Sequence, residues 1–187
     1  MRVFFQLKIN LEGIKPAIWR SFVVDGETTL SNLHTIIQIA MGWQDEHLWA
    51  FETLEGSYGP SNSIWDDSKK EATKHNVKEI LKIEKDTVKY IYDFGDYWQH
   101  KVELEKILTP EEVKIVPICL AGQGHCPPED CGGIWGYSEI LEDLSDPDTP
   151  AFQEVTNRLG KGFDPNFFDL NKINQILKQK LETNISS

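Results

Sequence analysis

The chain has 187 residues, of which 40% are hydrophobic and 26% charged, and its formal net charge is −11 at pH 7. This composition excludes a disordered chain, and the length matches one domain, which we expect to span residues 1–187. The negative charge disfavours non-specific binding to nucleic acid, because an acidic surface repels phosphate backbones.

The acidic excess is concentrated in the middle of the chain. Residues 90–154 contain 14 acidic and three basic side chains, whereas residues 1–89 contain 13 acidic and 11 basic ones. Such a segment either forms a solvated acidic face that aids solubility or attracts cations and basic partners.

The N-terminal residues pass directly into an alternating strand pattern, without the apolar core of a signal peptide. No apolar run approaches the roughly 18 residues that a membrane helix needs. The chain has three cysteines, and an odd number favours reduced thiols over a disulfide framework. We therefore expect a cytoplasmic protein without a membrane partner.

The N-terminal segment predicts a β-hairpin followed by a helix. Residues 2–11 alternate between apolar and polar side chains, and a turn with glycine and proline separates them from a second strand over residues 17–24. Thr29 is suited to the N-cap of a helix over residues 30–41, and Gly42 is suited to the position after its end.

The middle of the chain predicts further strands. We expect a third strand over residues 47–52, a short edge strand at 63–65 and a short helix near residues 77–81. Strands over residues 87–93 and 97–107 flank a glycine-containing turn, which predicts a second hairpin.

In the C-terminal third the sequence pattern changes from strands to an irregular segment and then to helices. A strand is predicted over residues 113–118, and residues 119–133 are predicted to be irregular because they contain two prolines and four glycines. Residues 134–183 show helical spacing and residues 184–187 are predicted to fray. Strands come first and helices last, which indicates an α+β fold.

The second hairpin carries one candidate site. Alternation places His100 on the apolar face of its strand, with Asp93 and Asp96 nearby in the turn. Carboxylates with an imidazole can bind a divalent metal or act as general acid and base, and His34 or His47 could join them. The alternative is structural, because Asp is common in glycine turns and a histidine on an apolar face is usually a satisfied core residue.

The irregular segment carries the other candidate site. Cys119, His125, Cys126 and Cys131 offer three thiols and an imidazole, which are ligands for zinc or another divalent metal. The gaps of six and four residues between successive cysteines differ from the shorter spacing of most zinc modules. The alternative to a metal site is therefore a structural one, in which the three thiols pack in a tight loop.

Aromatic side chains are numerous enough to form a core or to line a groove for ligands. The residues concerned are Trp43, Trp49, Trp65, Tyr97, Trp98 and Trp135.

Several segments together resemble one protein family. They are Gly13–Arg20, Leu33-His34, Ile37–Trp43, His47-Leu48, Tyr92–His100, Cys126–Gly133, Gly136-Tyr137, Phe163–Pro165 and Phe168-Asp169. In this order they resemble the Ri-plasmid open-reading-frame-three-like proteins, which are also described as passengers of insertion elements. Ser21 and Leu159 depart from the family pattern, and these departures weaken the case for a basic docking patch at the Trp19-Arg20 segment.

The resemblance implies a single domain of the α/β-roll type, with a mixed sheet of hairpin strands packed by helices. Members of the family are generally described as proteins of unknown function, so the resemblance implies no catalytic residue. The association with plasmids and mobile elements is a genetic setting and does not define a chemistry.

Three functional hypotheses follow. The first is a ligand- or partner-binding module, whose partner could be another protein or a second copy of the chain. The second is a metal-dependent hydrolase that uses His100 with Asp93 or Asp96, or the cysteine-rich loop. The third is a DNA-associated accessory protein of mobile elements. A hydrolase needs convergent polar groups in an open pocket, whereas DNA binding needs a continuous basic face.

Overall fold

One mixed eight-stranded sheet runs through the computed structural model, which describes residues 2–60, 69–160 and 162–185. The strands are β1 (Phe4–Leu11), β2 (Trp19–Asp25), β3 (Trp49–Thr53), β4 (Gly56–Gly59), β5 (Lys70–Glu71), β6 (Thr87–Tyr92), β7 (Trp98–Leu108) and β8 (Ile118–Gln123). The helices are α1 (Leu30–Met41), α2 (Val77–Ile80), α3 (Gly133–Asp143), α4 (Pro150–Leu159) and α5 (Leu170–Ile185).

The strand order is β5-β4-β3-β6-β7-β1-β2-β8. Every neighbouring pair is antiparallel except β4 and β5, which are parallel. Both predicted hairpins are present, as β1–β2 and β6–β7. The fold is therefore α+β with a mixed sheet, as the sequence predicts.

The β6–β7 hairpin lies in the centre of the sheet. His100 pairs with Tyr90 on β6 and with Leu11 on β1, and its side chain is fully buried. The alternation along β7 follows the prediction, since Trp98, Val102 and Leu104 are also buried while Lys101 is exposed. These residues form the central part of the hydrophobic core.

Helix α1 packs on this core and begins and ends where the sequence predicts. The Thr29 hydroxyl accepts a hydrogen bond from the Asn32 N–H at 3.2 Å, and Gly42 adopts a left-handed conformation with φ +103. The apolar stripe of α1, including Leu33 and Ile37, is fully buried.

The last strand differs from the prediction. Residues 113–117 are not a strand, and β8 instead begins at Ile118 and runs to Gln123, inside the segment predicted to be irregular. Glycine usually weakens a strand, which is why this segment is predicted to be irregular. At Gly122 the missing side chain instead allows other side chains to approach the strand backbone closely. A Cβ atom at Gly122 would lie 2.5 Å from the Phe168 ring and 2.7 Å from Cδ of Arg20.

Strand β8 forms one edge of the sheet, and α5 covers part of it. The Asn174 side-chain amide on α5 donates to the Cys119 carbonyl at 2.9 Å and accepts from the Cys119 N–H at 2.8 Å. One side chain thus satisfies both backbone groups of an edge residue.

The remaining predictions concern helix ends and one strand. Thr149 caps α4, with Pro150 as its first residue, and Asp169 caps α5. The predicted edge strand at 63–65, which includes Trp65, lies outside the described residues. Within the described ranges, the helices are too short or too polar to cross a membrane.

Candidate functional site

The loop after α1 connects two polar clusters, one buried and one near the surface. The first cluster is a closed hydrogen-bonded ring that links α1, the loop and β6; three of its side chains are buried, and the Asp45 side chain is 53% exposed. The Asp45 N–H donates to Gln38 Oε1 at 3.0 Å, and Gln38 Nε2 donates to the Tyr90 hydroxyl at 3.1 Å. The Tyr90 hydroxyl lies 2.7 Å from His34 Nδ1, and His34 Nε2 lies 2.7 Å from Asp45 Oδ1.

A single proton arrangement satisfies this ring. Neutral His34 with its proton on Nε2 donates to Asp45 and accepts from the Tyr90 hydroxyl, so every ring member has a partner. His34 is 3% exposed and stacks on Trp49 with ring centroids 4.0 Å apart. Burial lowers the pKa of His34, which favours the neutral form. The ring therefore has a structural role, and it holds Asp45 at φ +61.

The second cluster surrounds His47, two residues further along the loop. Its Nε2 atom lies 3.3 Å from Asp130 Oδ1 and 3.9 Å from Glu129 Oε2, and its Nδ1 atom lies 3.8 Å from Asp93 Oδ1. Ligand atoms of Glu46, His47 and Asp130 all lie within 4.8 Å of one another. The cluster thus combines one imidazole with several carboxylates.

Two buried polar atoms of this cluster lack hydrogen-bond partners. Glu129 is fixed through Oε1, which accepts from the Tyr92 hydroxyl at 3.0 Å and from the Gln44 N–H at 2.9 Å. Its other oxygen, Oε2, is buried and makes no hydrogen bond, and the same holds for His47 Nε2. Unsatisfied buried polar atoms are uncommon in folded proteins, and a bound ion or water is a frequent reason for them.

Two segments singled out in the sequence meet at this cluster. Asp96 Oδ2 accepts a hydrogen bond from the Gly132 N–H at 3.1 Å, which joins the β6–β7 turn to the cysteine-rich loop. At Gly133, with φ +66, a Cβ atom would lie 2.5 Å from the Asp96 carbonyl oxygen. Asp93 contacts His47, so Asp93 lies in the cluster, while Asp96 positions the loop beside it.

His100, the third predicted member, lies elsewhere. Its Nδ1 atom lies 3.3 Å from the Tyr90 carbonyl oxygen, and its ring meets Trp43 edge-on at 5.2 Å. Burial lowers its pKa to about 3. None of the described contacts of His100 reaches Asp93 or Asp96, so the predicted trio is not assembled as one site.

The cysteine-rich set is also not assembled as a metal centre among the described residues. The ligand atoms of Cys119, His125, Cys126 and Cys131 do not form a group of three within 4.8 Å. All three thiols are free, and burial raises the pKa of Cys126 and raises that of Cys131 to about 12. His125 Nδ1 lies 2.7 Å from the Cys126 carbonyl oxygen, and its ring packs on Phe163.

Sequence reasoning named His47 only as an accessory and did not single out Glu46, Glu129 or Asp130 as ligands. A signal was present, because the segments that carry the family resemblance include His47 and Glu129-Asp130.

The predicted aromatic residues divide into buried and exposed ones. Trp43, Trp49 and Trp98 are core residues, whereas Tyr97 and Trp135 are exposed.

Comparison with known proteins identifies relatives without an assigned activity. Residues 3–172 match the model of the plasmid pRiA4b ORF-3-like proteins. An uncharacterized protein, y4hQ, of Sinorhizobium fredii (strain NBRC 101917 / NGR234) is 37% identical over 175 residues, covering 89% of this chain and 88% of the relative.

A solved structure shows the same fold. The crystal structure of a protein of unknown function, MM3350, from Methanosarcina mazei Go1 superimposes with a TM-score of 0.83 at 36% identity, covering 91% of this chain and 97% of the other. The chain therefore belongs to the family of plasmid pRiA4b ORF-3-like proteins.

Proposed function

We propose that the protein is a ligand-binding module that binds a divalent cation at the His47 cluster, through Glu46, His47 and Asp130, with Glu129 beside His47 as a further carboxylate. The observation that carries this proposal is the pair of buried, unpartnered atoms, His47 Nε2 and Glu129 Oε2, which lie 3.9 Å apart. A cation between them would satisfy both.

The donor set indicates the class of metal. One imidazole nitrogen with carboxylate oxygens suits first-row divalent ions such as Mn²⁺, Fe²⁺ or Zn²⁺ better than the all-oxygen preference of Ca²⁺. Asp93 faces the other ring nitrogen of His47 at 3.8 Å. If Asp93 moves to hydrogen-bond distance of this nitrogen on metal binding, it orients His47 and fixes its tautomer.

The simplest alternative is an ion-pair network without a metal, in which protonated His47 is held by the surrounding carboxylates. The two arrangements predict different responses to added metal, because only the first offers lone pairs to a cation.

The test is isothermal titration of metal-free protein with Mn²⁺ and with Zn²⁺, together with thermal unfolding. We expect one site per chain and, at 100 times the dissociation constant, stabilisation by about 2.7 kcal/mol. His47→Ala and Asp130→Asn should abolish both effects, whereas Cys131→Ser, which changes a thiol in the same loop, should retain them. Unchanged binding in His47→Ala, or its loss in Cys131→Ser, would contradict the proposal.

A metal-dependent hydrolase is the second candidate, and one observation favours it. Glu129 also lines an open cleft of about 500 Å³ whose walls include Trp43, His125 and Phe163. A substrate in this cleft would lie beside the proposed cation, which could polarise a carbonyl or phosphoryl oxygen. Hydrolysis of p-nitrophenyl esters or phosphates that requires Mn²⁺ and is lost in His47→Ala would support this activity over binding alone.

The DNA-associated hypothesis gains less support. Arg20, at the centre of the possible basic docking patch, is 2% exposed and cannot contact a phosphate backbone in this conformation. Filter binding of duplex DNA at low and high salt tests the hypothesis, because phosphate contacts make affinity fall steeply with salt.

We further infer that residues 1–187 form one domain in the cytoplasm. Buried residues from the sheet and from α1, α3, α4 and α5 belong to one hydrophobic core, which supports a single folding unit. The three free thiols support a reducing compartment.

A further inference from the structure

Arg20 is the only buried Lys or Arg side chain in the described part of the chain. It donates through Nε to the Ala40 carbonyl at 2.7 Å and through Nη1 to the Trp19 and Gln123 carbonyls, each at 2.8 Å. Through Nη2 it donates to the Gly124 carbonyl at 2.8 Å. These bonds connect β2, α1 and the end of β8.

The hydrogen bonds leave two features of Arg20 without a partner among the described residues. Arginine has five N–H donors, and the four bonds leave one N–H on Nη2. The charge is also uncompensated, because carbonyl oxygens carry no net charge and no described carboxylate lies within ion-pair distance of Arg20. A buried charge without a counter-ion is costly, and burial correspondingly lowers the pKa of Arg20.

Arg20 lines an open cavity of about 180 Å³ between the end of α1, the loop after β8 and the start of α5. Two further side chains that can carry positive charge, Lys172 and His125, line the same cavity. Asp169 is the one acidic residue in the lining, and its Oδ1 atom caps α5 by accepting the Lys172 N–H at 2.9 Å.

The rest of the cavity wall is mainly apolar. Its hydrophobic residues include Ile39, Met41, Phe168, Ile173 and Ile176. The Phe168 ring also stacks on Arg20, with the guanidinium carbon 4.8 Å from the ring centroid. A ligand that matches both parts of this wall has an anionic group at one end and a hydrocarbon body at the other.

We propose that this cavity binds a small monocarboxylic acid, with its carboxylate at Arg20 and Lys172 and its hydrocarbon body against Ile39, Ile173 and Ile176. Size supports this class, because a cavity of about 150 Å³ holds a benzene ring. A carboxylate supplies the missing counter-ion and accepts the spare N–H of Arg20. Inorganic phosphate would supply charge but leave the apolar wall unfilled.

The test is titration of the full-length protein with benzoate and butanoate, followed by isothermal calorimetry and ¹H–¹⁵N spectra. Benzamide is the matched neutral compound, and inorganic phosphate is the second arm. We expect saturable binding of the carboxylates at millimolar concentration or below, no binding of benzamide, and weaker binding of phosphate.

Replacing Arg20 would break four hydrogen bonds that hold the fold, so the variants are placed at other residues of the cavity. Ile176→Trp, at a position 38% exposed, fills the cavity and should abolish benzoate binding. Lys172→Gln should weaken it about threefold, as expected for an exposed charge, whereas Lys178→Gln on the same helix should leave it unchanged. Equal binding of benzamide and benzoate, tighter binding of phosphate, or unchanged affinity in Ile176→Trp would overturn the proposal.

Discussion

The ring around His34 and the cluster around His47 are built from the same kinds of groups, and one loop contributes to both. Each contains an imidazole, at least one carboxylate and a nearby tyrosine hydroxyl. Both ring nitrogens of His34 have a partner at 2.7 Å, whereas the nearest carboxylate oxygen to His47 Nε2 lies at 3.3 Å without forming a hydrogen bond. Hydrogen bonding, and not residue type, separates the structural cluster from the candidate site.

The two histidines also differ in exposure. The His34 side chain is 3% exposed and the His47 side chain is 25% exposed. Inside the core each unsatisfied polar atom carries the full cost of desolvation, so the ring must close. In the His47 cluster the side chain is partly exposed, but His47 Nε2 and Glu129 Oε2 are themselves buried, so a ligand that reaches them from the surface would supply the missing partner.

The largest expected contrast is between two alanine variants. His34→Ala removes the stack on Trp49 and takes one hydrogen-bond partner from the fully buried Tyr90 hydroxyl, so we expect a loss of about 3 kcal/mol of unfolding free energy. His47→Ala in the presence of a chelator should change the unfolding free energy by less than about 0.5 kcal/mol. Urea unfolding at pH 7.5 measures both, and losses of equal size would refute the distinction.

Interior histidines should also make the protein sensitive to acid. The pKa of His100 is about 3 in the folded protein against 6.5 ordinarily, so the unfolded chain binds a proton first as the pH falls below 6.5. The contribution of His100 to stability therefore declines between pH 6.5 and about pH 3. We expect the wild type to lose roughly 2 kcal/mol more than His100→Phe between pH 6.5 and 5.

The control for this effect is Val102→Ala, which alters the same face of β7 without changing a titratable group. It should lower the unfolding free energy equally at both pH values. Parallel pH profiles for the wild type and His100→Phe would show that His100 is not the source of the acid sensitivity.

A glycine tests the contact that assembles the His47 cluster. Gly133→Ala places a Cβ atom 2.5 Å from the Asp96 carbonyl oxygen at a residue with φ +66, so we expect a loss of about 2 kcal/mol and weaker Mn²⁺ binding. Gly162→Ala is the matched control, because a Cβ atom there meets nothing within 4 Å. Thermal unfolding compares the two, and the same melting temperature for both variants would contradict the close contact.

The smallest effects should distinguish the two tyrosines. Tyr90→Phe opens the ring and should cost about 1 kcal/mol with little change in cation affinity. Tyr92→Phe removes the hydrogen bond that fixes Glu129 and should weaken Mn²⁺ binding about tenfold. Calorimetric titration of both variants checks this, and a reversed order would mean that the ring, and not Tyr92, controls the geometry of the cluster.

Much of the fold could be predicted from local sequence patterns. Alternation predicts β1 and β7, and capping residues predict the ends of α1 and α4, because these signals depend on neighbouring residues only. Strand β8 could not be located in this way. A side chain at Gly122 would clash with Arg20 and Phe168, and these two residues are distant from it in the sequence.

The candidate site could be predicted only in part, for a similar reason. The turn chemistry around Gly95 predicts Asp93 as a candidate site residue, and alternation along β7 predicts that His100 is buried. The cluster itself combines three loops, around residues 46–47, at 93 and at 129–130, and no local spacing relates them. The segments that carry the family resemblance contain most of these residues but do not indicate that they meet.

The amide of Asn174 has a consequence for self-association. An edge strand with free N–H and C=O groups is a template onto which a second copy of a chain can add, and extended pairing of this kind leads to fibrils. At the β8 edge, Asn174 occupies both groups of Cys119, and the opposite edge, β5, is only two residues long. A helical side chain thus occupies, at Cys119, the backbone groups with which a strand of a second copy would pair.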